Sequence, residues 1–221
     1  MVKLSKYTSL VRRESYCALY RTAGTMWLGL RGALYCAAEL PMFGGKEQVK
    51  AILSLSDKQM DKVYLQEFDC PGKKDVQGFD LSEYTPDECE LKPVQSAAII
   101  KGKAYTAMQA SNGELVFYDE SYLGPISDIV KDSDYVEMAL RRAPSGQSYI
   151  AVKDGFQILA LIMTVKCVDE KYLSDLQEFS ALCAEQYRIE TRRALRTAEE
   201  NEIDVELEGN QTSMEETGNE A

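Results

Sequence analysis

Side chains that could do chemistry are few in this chain, and they are widely spaced. It has no histidine, which removes a histidine-centred triad or dyad and most zinc-hydrolase chemistry. Carboxylates are the remaining general bases. Asp132 with Asp134, and Asp87 with Glu88 and Glu90, are grouped as acid–base or magnesium chemistry would need, but they lie in polar stretches where charge also serves solubility. A cysteine nucleophile would need a base or a cationic pocket. The six cysteines, Cys17, Cys36, Cys70, Cys89, Cys167 and Cys183, are scattered and sit mostly in apolar segments such as "SYCALY" and "SALCAEQ". That is the pattern of buried thiols in a reducing compartment. No CxxC or other short ligand spacing is present, so a zinc site would require four of them to converge.

Two glycine pairs could cradle a phosphate. In "FGGKEQ", Gly44, Gly45 and Lys46 precede a helical pattern whose first N–H groups could meet an anion; "GLRG" at 29–32 is the other. Neither belongs to a GxxxxGK[ST] or GxGxxG motif, and a glycine pair before a helix commonly serves only as a breaker. Near the C-terminus Arg188, Arg192 and Arg196 recur every four residues, with Arg193 beside them. They form either a solvated face with cations near a helix C-terminus or a contact surface for phosphate, an acidic partner or the chain's own acidic tail. Among the 13 tyrosines, Tyr16, Tyr20, Tyr35, Tyr105, Tyr118, Tyr135 and Tyr149 fall in or beside predicted strands. Such rings can stack bases, but β-propensity alone would place them in a half-buried antiparallel sheet. No cofactor is expected.

The net charge of −11 is unevenly placed. Nine of the 36 acidic residues lie in 199–221, where there is no Lys or Arg, leaving 27 acidic against 25 basic residues elsewhere. The body is close to neutral, so its acidity excludes little about partners. The basic N-terminus, "MVKLSKYTSLVRRESYC", lacks the apolar core of a signal peptide. The longest apolar run, 156–165, falls far short of the roughly 20 residues that span a bilayer. A soluble, cytoplasmic protein that does not engage membrane is expected.

Positioning these residues falls to short strands. Tyr16–Tyr20, Met26–Leu30 and Ala33–Leu40 read as strands with a turn at 22–25, followed by a short amphipathic helix in "GGKEQVKAILSLSDKQ". Ser56 and Gln59 are spaced for a capping box, and Val63–Phe68 reads as a strand. Residues 70–93 combine Pro, Gly and charge without period and are expected as a loop or linker. Asn112-Gly113 signals a hairpin within 94–120, and Leu123, Ile126, Ile129 and Val130 mark one helical face with Pro125 in its first turn. "DYVEMALRR", "QSYIAVKD" and "FQILALIMTVK" follow as strands, separated by Pro144-Ser145-Gly146 and Asp154-Gly155. A long helix is expected over 169–198, with an apolar stripe through Tyr172, Leu173, Leu176, Phe179, Cys183 and Tyr187 packing on the body. The tail 199–221 is expected to be disordered.

The expected fold is α+β: an antiparallel sheet with short helices on one face, a long C-terminal helix and an acidic tail. Its first half covers 1–69 and its second 94–168. Each half reads as hairpin, short helix, strand. In the first, "MWLGLRGALYCAAEL" leads through "KEQVKAILSL" to "DKVYLQEF"; in the second, "AYTAMQASNGELVFYDE" leads through "SYLGPISDIV" to "DYVEMALRR". That order resembles the repeating half-domain of DNA sliding clamps, chiefly over 94–166, and carries no diagnostic residue with it. The resemblance implies a clamp-like pseudo-repeat; a ring-forming clamp subunit has several such domains, and this chain is long enough for about one.

Three functions follow as expectations. The first is a non-enzymatic binding or adaptor protein with a protein partner, its clamp-like domain engaging a protein or DNA-processing complex; the lack of any housekeeping signature adds a bacterial mobile element or phage as the source. The second is direct nucleic-acid binding through Arg188, Arg192, Arg193 and Arg196 with the basic Lys3, Lys6, Arg12 and Arg13, the acidic tail competing. The third is a carboxylate- and metal-dependent enzyme.

Overall fold

The computed structural model describes residues 2–22, 24–70, 75–76, 78–100, 102–166, 178, 182–183 and 185–193. Two compact units are present, Met1–Cys167 and Val168–Ala221. In the first, α1 (Leu4–Glu14) precedes β1 (Tyr16–Arg21), β2 (Met26–Gly29) and β3 (Ala33–Cys36), then α2 (Gly45–Ile52), α3 (Asp57–Met60) and β4 (Tyr64–Asp69). A small hairpin, β5 (Asp75–Val76) and β6 (Phe79–Asp80), leads to β7 (Cys89–Ile100), β8 (Lys103–Ala110) and β9 (Leu115–Tyr118). A 3₁₀ segment, Glu120–Ile126, runs into α4 (Ser127–Asp132), and β10 (Val136–Arg142), β11 (Ser148–Asp154) and β12 (Gln157–Met163) follow.

Local chemistry explains most of these elements. Gly113, at φ +89°, supplies the left-handed turn between β8 and β9 that Asn112-Gly113 announces. Ser56 N–H donates to Gln59 Oε1 at 2.9 Å, completing the anticipated start of α3. Helix α1 was not legible in the pattern. Its inward residues, Tyr7, Thr8, Leu10 and Val11, include two polar side chains that are buried only because they find partners. Tyr7 Oη donates to Gly29 O (2.9 Å) and Thr8 Oγ1 to Leu53 O (3.1 Å). The single helix expected around Pro125 is split: Pro125 closes the 3₁₀ segment just before α4 instead of opening a helix.

Among the described residues ten strands form one sheet in the order β4-β1-β2-β3-β12-β11-β10-β7-β8-β9, and β5–β6 pair as a separate hairpin. It is mixed, not purely antiparallel, because β4 runs parallel to β1, from Tyr16↔Tyr64 to Arg21↔Asp69. The α2–α3 connection returns the chain to the start of β1, which is what parallel pairing requires. Hairpin, helix and strand do recur in both halves. Their placement differs: β4 is an outer strand, whereas β10 lies between β11 and β7. At the centre two three-strand meanders, β1–β3 and β10–β12, meet through Leu34↔Leu161. Beyond β12 the chain leaves β3 and bridges β9, with Val165 N–H donating to Phe117 O at 2.7 Å, so the β12-to-β9 side of the sheet curls back on itself.

The sheet's two faces are covered differently. All the helical residues that enter the core do so on one face: Tyr7, Leu10, Val11, Val49, Met60 and Ile126 pack with Leu19, Leu28, Tyr35, Ile150 and Val152. On the other face Tyr16, Tyr20, Trp27, Leu34, Tyr149 and Leu161 pack with Cys70, Val76 and Phe79. Those last three belong to 70–88, hereafter the flap. The region expected as a loop or linker over 70–93 therefore contributes core side chains, the β5–β6 hairpin and the start of β7. Its lack of period reflects lone apolar residues, each meeting a ready-made sheet surface.

In the second unit the described residues 178, 182–183 and 185–193 are helical. The remaining residues of the expected helix and the tail lie outside the described residues.

Candidate functional site

Two buried cations face the flap. Arg141 and Lys153 alternate with Ala139, Tyr149 and Ala151 on the flap side of β10 and β11, with side chains only 1% and 6% exposed. The Arg141 guanidinium donates to Ser82 O (2.7 Å), Glu83 O (2.9 Å) and Asp80 O (3.3 Å), and its Nε donates to Glu88 Oε2 (2.9 Å). Lys153 Nζ donates to Glu88 Oε1 (2.6 Å) and pairs with its cross-strand neighbour Glu137 (2.8 Å). Burial pushes the Glu88 carboxyl up, but the hydrogen bonds from Lys153 and Arg141 outweigh it and hold Glu88 below the usual carboxylate range. Asp80 N–H donates to Tyr149 Oη (3.1 Å), and Tyr149 meets Phe79 edge-on at 5.0 Å. Together these groups fasten the flap to the sheet.

The sequence candidates separate around this clamp. Of Asp87, Glu88 and Glu90, Glu88 alone turns inward; Asp87 lines a neighbouring cleft of about 520 Å³ with Thr85, Asn112 and Arg142, and Glu90 lies 3.6 Å from Lys92. Asp132 and Asp134 are exposed at the end of α4. Among the described residues no group of three or more His, Cys, Asp or Glu is placed to hold a metal. Burial pushes the Cys17 thiol up to about 11, which makes it a packing group rather than a nucleophile.

The glycine cradle is occupied by the chain itself. Gly45 N–H donates to Glu67 Oε1 at 2.6 Å, and Gly44 N–H donates to Gln48 Oε1 at 2.9 Å. The Arg21 guanidinium bonds Glu67, Asp69 and the Phe43 carbonyl, and holds the Glu67 carboxyl low. A carboxylate of β4 thus sits where a phosphate would have been received. In the same way Asp119 accepts from Arg13 (3.1 Å), Lys103 and the Ser121 N–H (3.0 Å), and Lys3 pairs with Asp128. Lys3 and Arg13 are therefore paired with carboxylates, and Arg12 donates to Ser54 O (3.4 Å), so three of the four basic N-terminal residues are engaged internally. Arg188, Arg192 and Arg193 are exposed on helical residues, and Arg196 lies outside the described residues.

The tyrosines divide sharply. Tyr16, Tyr20, Tyr35, Tyr118 and Tyr149 are buried, Tyr105 lies under the Lys103 ammonium (5.3 Å), and Tyr135 is exposed. Core filling accounts for the buried five. A different aromatic pair reaches the surface at β4. Tyr64, 61% exposed, stacks on Tyr16, and Phe68, 36% exposed, lies flat on Tyr20 with ring centres 4.8 Å apart. Gln66 accepts from Tyr16 Oη (2.8 Å) between them, and Arg31 caps the Tyr16 ring at 5.3 Å.

Among the described residues the outer main chain of β4 has no strand partner. Tyr64 N–H donates to Ser15 O and Cys70 N–H to Arg21 O, so the even-numbered residues turn toward β1 and Leu65, Glu67 and Asp69 turn outward. β4 ends the sheet. The resulting edge has aromatic rings on one side, carboxylates on the other, and a row of outward N–H and C=O groups between. No protein-family model, curated protein or solved structure matches the chain.

Sequence reasoning missed both the clamp and this edge. Arg141 and Lys153 do stand at inward positions of alternating strands, and that signal could have found them. For β4 the sequence marks a strand but not which strand ends the sheet.

Proposed function

We propose that this chain is a non-enzymatic binding or adaptor protein that takes up an extended segment of a protein partner along β4. The observation that carries the reading is the open edge, with Tyr64 and Phe68 exposed on stacked supports and the main-chain groups of Leu65, Glu67 and Asp69 turned outward. Strand addition uses such groups for affinity and alternate side chains for selectivity. The rings ask for apolar residues on one side of the incoming strand; Asp69, whose side chain is 76% exposed, asks for basic residues on the other. A clamp-like domain serving a DNA-processing complex of a phage or mobile element is the form of this reading that the half-domain resemblance suggests.

The test is fluorescence anisotropy with labelled peptides alternating valine with lysine, glutamate or serine. Saturable binding of the valine–lysine peptide is expected, lost in Tyr64→Ala/Phe68→Ala and in Asp69→Pro, which removes an outward main-chain donor and the Arg21 side-chain pair but no main-chain bond to β1, with Asp69→Ala as the control for the lost pair. No binding by any of the three peptides at the highest soluble concentration overturns the reading.

Direct nucleic-acid binding through Arg188, Arg192, Arg193 and Arg196 is the second reading, supported by the exposure of the first three on one helical stretch. Removal of 199–221 should then raise DNA affinity with a steep salt dependence in gel-shift titrations. Equal absence of binding with and without the tail at low salt refutes it.

A further inference from the structure

Among the described residues a second strand edge has no partner, and its chemistry is unlike that of β4. β7 pairs with β10 only at Cys89 and Glu90, whereas Leu91–Ile100 pairs with β8 alone. Where the two strands part, Pro93 stands with a bulge immediately after it. A residue without an N–H is tolerated there because no neighbour asks for one. From Pro93 to Ile100 the sequence PVQSAAII carries no charge. Ile99 is 77% exposed, and Pro93, Gln95, Ser96 and Ala97 are exposed too. Edge strands ordinarily protect themselves with charges, covering segments, brevity, prolines or bulges; Pro93 and the bulge guard the start of this segment, and Ala97–Ile100 beyond them carries no charge.

The hairpin geometry says which groups face out. Ile100↔Lys103 closes a two-residue turn, so Ile100 and Ala98 exchange main-chain bonds with β8, and Ala97 and Ile99 turn their N–H and C=O away from it.

We propose that this edge pairs with the same edge of a second copy, antiparallel, about a two-fold axis through Ala98. In that register Ala98 faces its own counterpart at the axis, Ala97 faces Ile99 of the other copy, and the outward main-chain groups of both strands are matched. Only small or apolar side chains meet from Ser96 to Ile100. The segment is its own complement: paired on itself it brings no like charges together, whereas at β4 two copies would bring the Glu67 and Asp69 carboxylates, with the Arg21 that holds them, onto one edge. The β7 segment is where two copies can form main-chain bonds with no like charges in contact. The interface is isologous, so it closes at two copies and leaves no further edge of its kind.

The experiment is sedimentation velocity and light scattering on the full chain over a concentration series, for the natural sequence and for Ile99→Lys, Ala97→Pro and Tyr64→Ala. The natural chain and Tyr64→Ala should dimerise alike. Ile99→Lys, which alters a solvent-facing side chain, and Ala97→Pro, which removes an outward donor but no bond to β8, should each weaken the dimer by about tenfold or more, since every dimer carries the change twice. Circular dichroism checks folding; if one variant misfolds, the other decides. A monomer at the highest soluble concentration, a dimer indifferent to both β7 variants, a dimer lost in Tyr64→Ala, or assemblies larger than two each overturn the proposal.

Discussion

The helix-covered face and the flap-covered face of the sheet enclose cores in one unit, but they are closed by different forces. On the helix side closure is mainly apolar: Leu10 and Val11 of α1, Val49 of α2 and Ile126 press on strand residues, Thr8 bonds to a single carbonyl, and one buried carboxylate, Asp119, is held by Arg13 of α1 and Lys103. On the flap side Cys70, Val76 and Phe79 supply little apolar surface, and Arg141 and Lys153 reach up to grip carbonyls and Glu88. A stretch with too few apolar residues to hold itself down can still be fixed by buried charge, provided every charge is matched. The cost is that closure then depends on a protonation state.

The largest expected effect tests that difference. Arg141→Ala should destabilise the fold by about 3–5 kcal/mol, because it leaves the Asp80, Ser82 and Glu83 carbonyls without their donor and Glu88 with Lys153 as its remaining cation; Leu10→Ala on the helix face should cost about 2–4 kcal/mol through lost burial and a cavity. Urea unfolding measures both. If Arg141→Ala costs less than a surface substitution, the flap is not held by the clamp.

Acid should separate the faces next. Glu88 is held below its unfolded value of about 4.3, so its contribution is fully present above that pH and is lost as the pH falls through the lower folded value. The single tryptophan, Trp27, is buried beneath the flap, and its emission should shift red below about pH 4. Asp119 is also held low, on another part of the unit, so Glu88→Gln is the control: already loosened at neutral pH, it should lose the Trp27 transition. An unchanged Trp27 transition in that variant would assign the acid sensitivity elsewhere.

The smallest effect comes from an ion pair on neither core. Lys46 and Asp61 are 2.7 Å apart, but their side chains are 56% and 66% exposed. Lys46→Ala should change thermal stability by about 0–1 kcal/mol, less in high salt. A larger loss would mean that burial is not what distinguishes the flap clamp.

Legibility in the sequence followed the same divide. The strands of "QSYIAVKD" and "FQILALIM", and the turns at Asn112-Gly113 and Asp154-Gly155, were readable because alternation and positive-φ residues act within a few positions. The flap was not, since Val76 and Phe79 become core only when the chain folds back across a sheet assembled from residues on both sides of them in sequence. The Gly44-Gly45 pair read correctly as the start of α2, but its anion, Glu67, comes from 22 residues further along the chain.

Preferences between near neighbours set the local pieces: which segments extend, where they turn, where Ser56 and Gln59 begin a helix, and that charge gathers at the C-terminus. Long-range packing alone makes β4 lie parallel at the end of the sheet, β7 leave β10 after two residues, and Arg141 buried rather than solvated. Turn and period preferences arise between neighbours. Edge position and the burial of a charge depend on which distant strand or carbonyl arrives beside it, and no local propensity encodes that arrival.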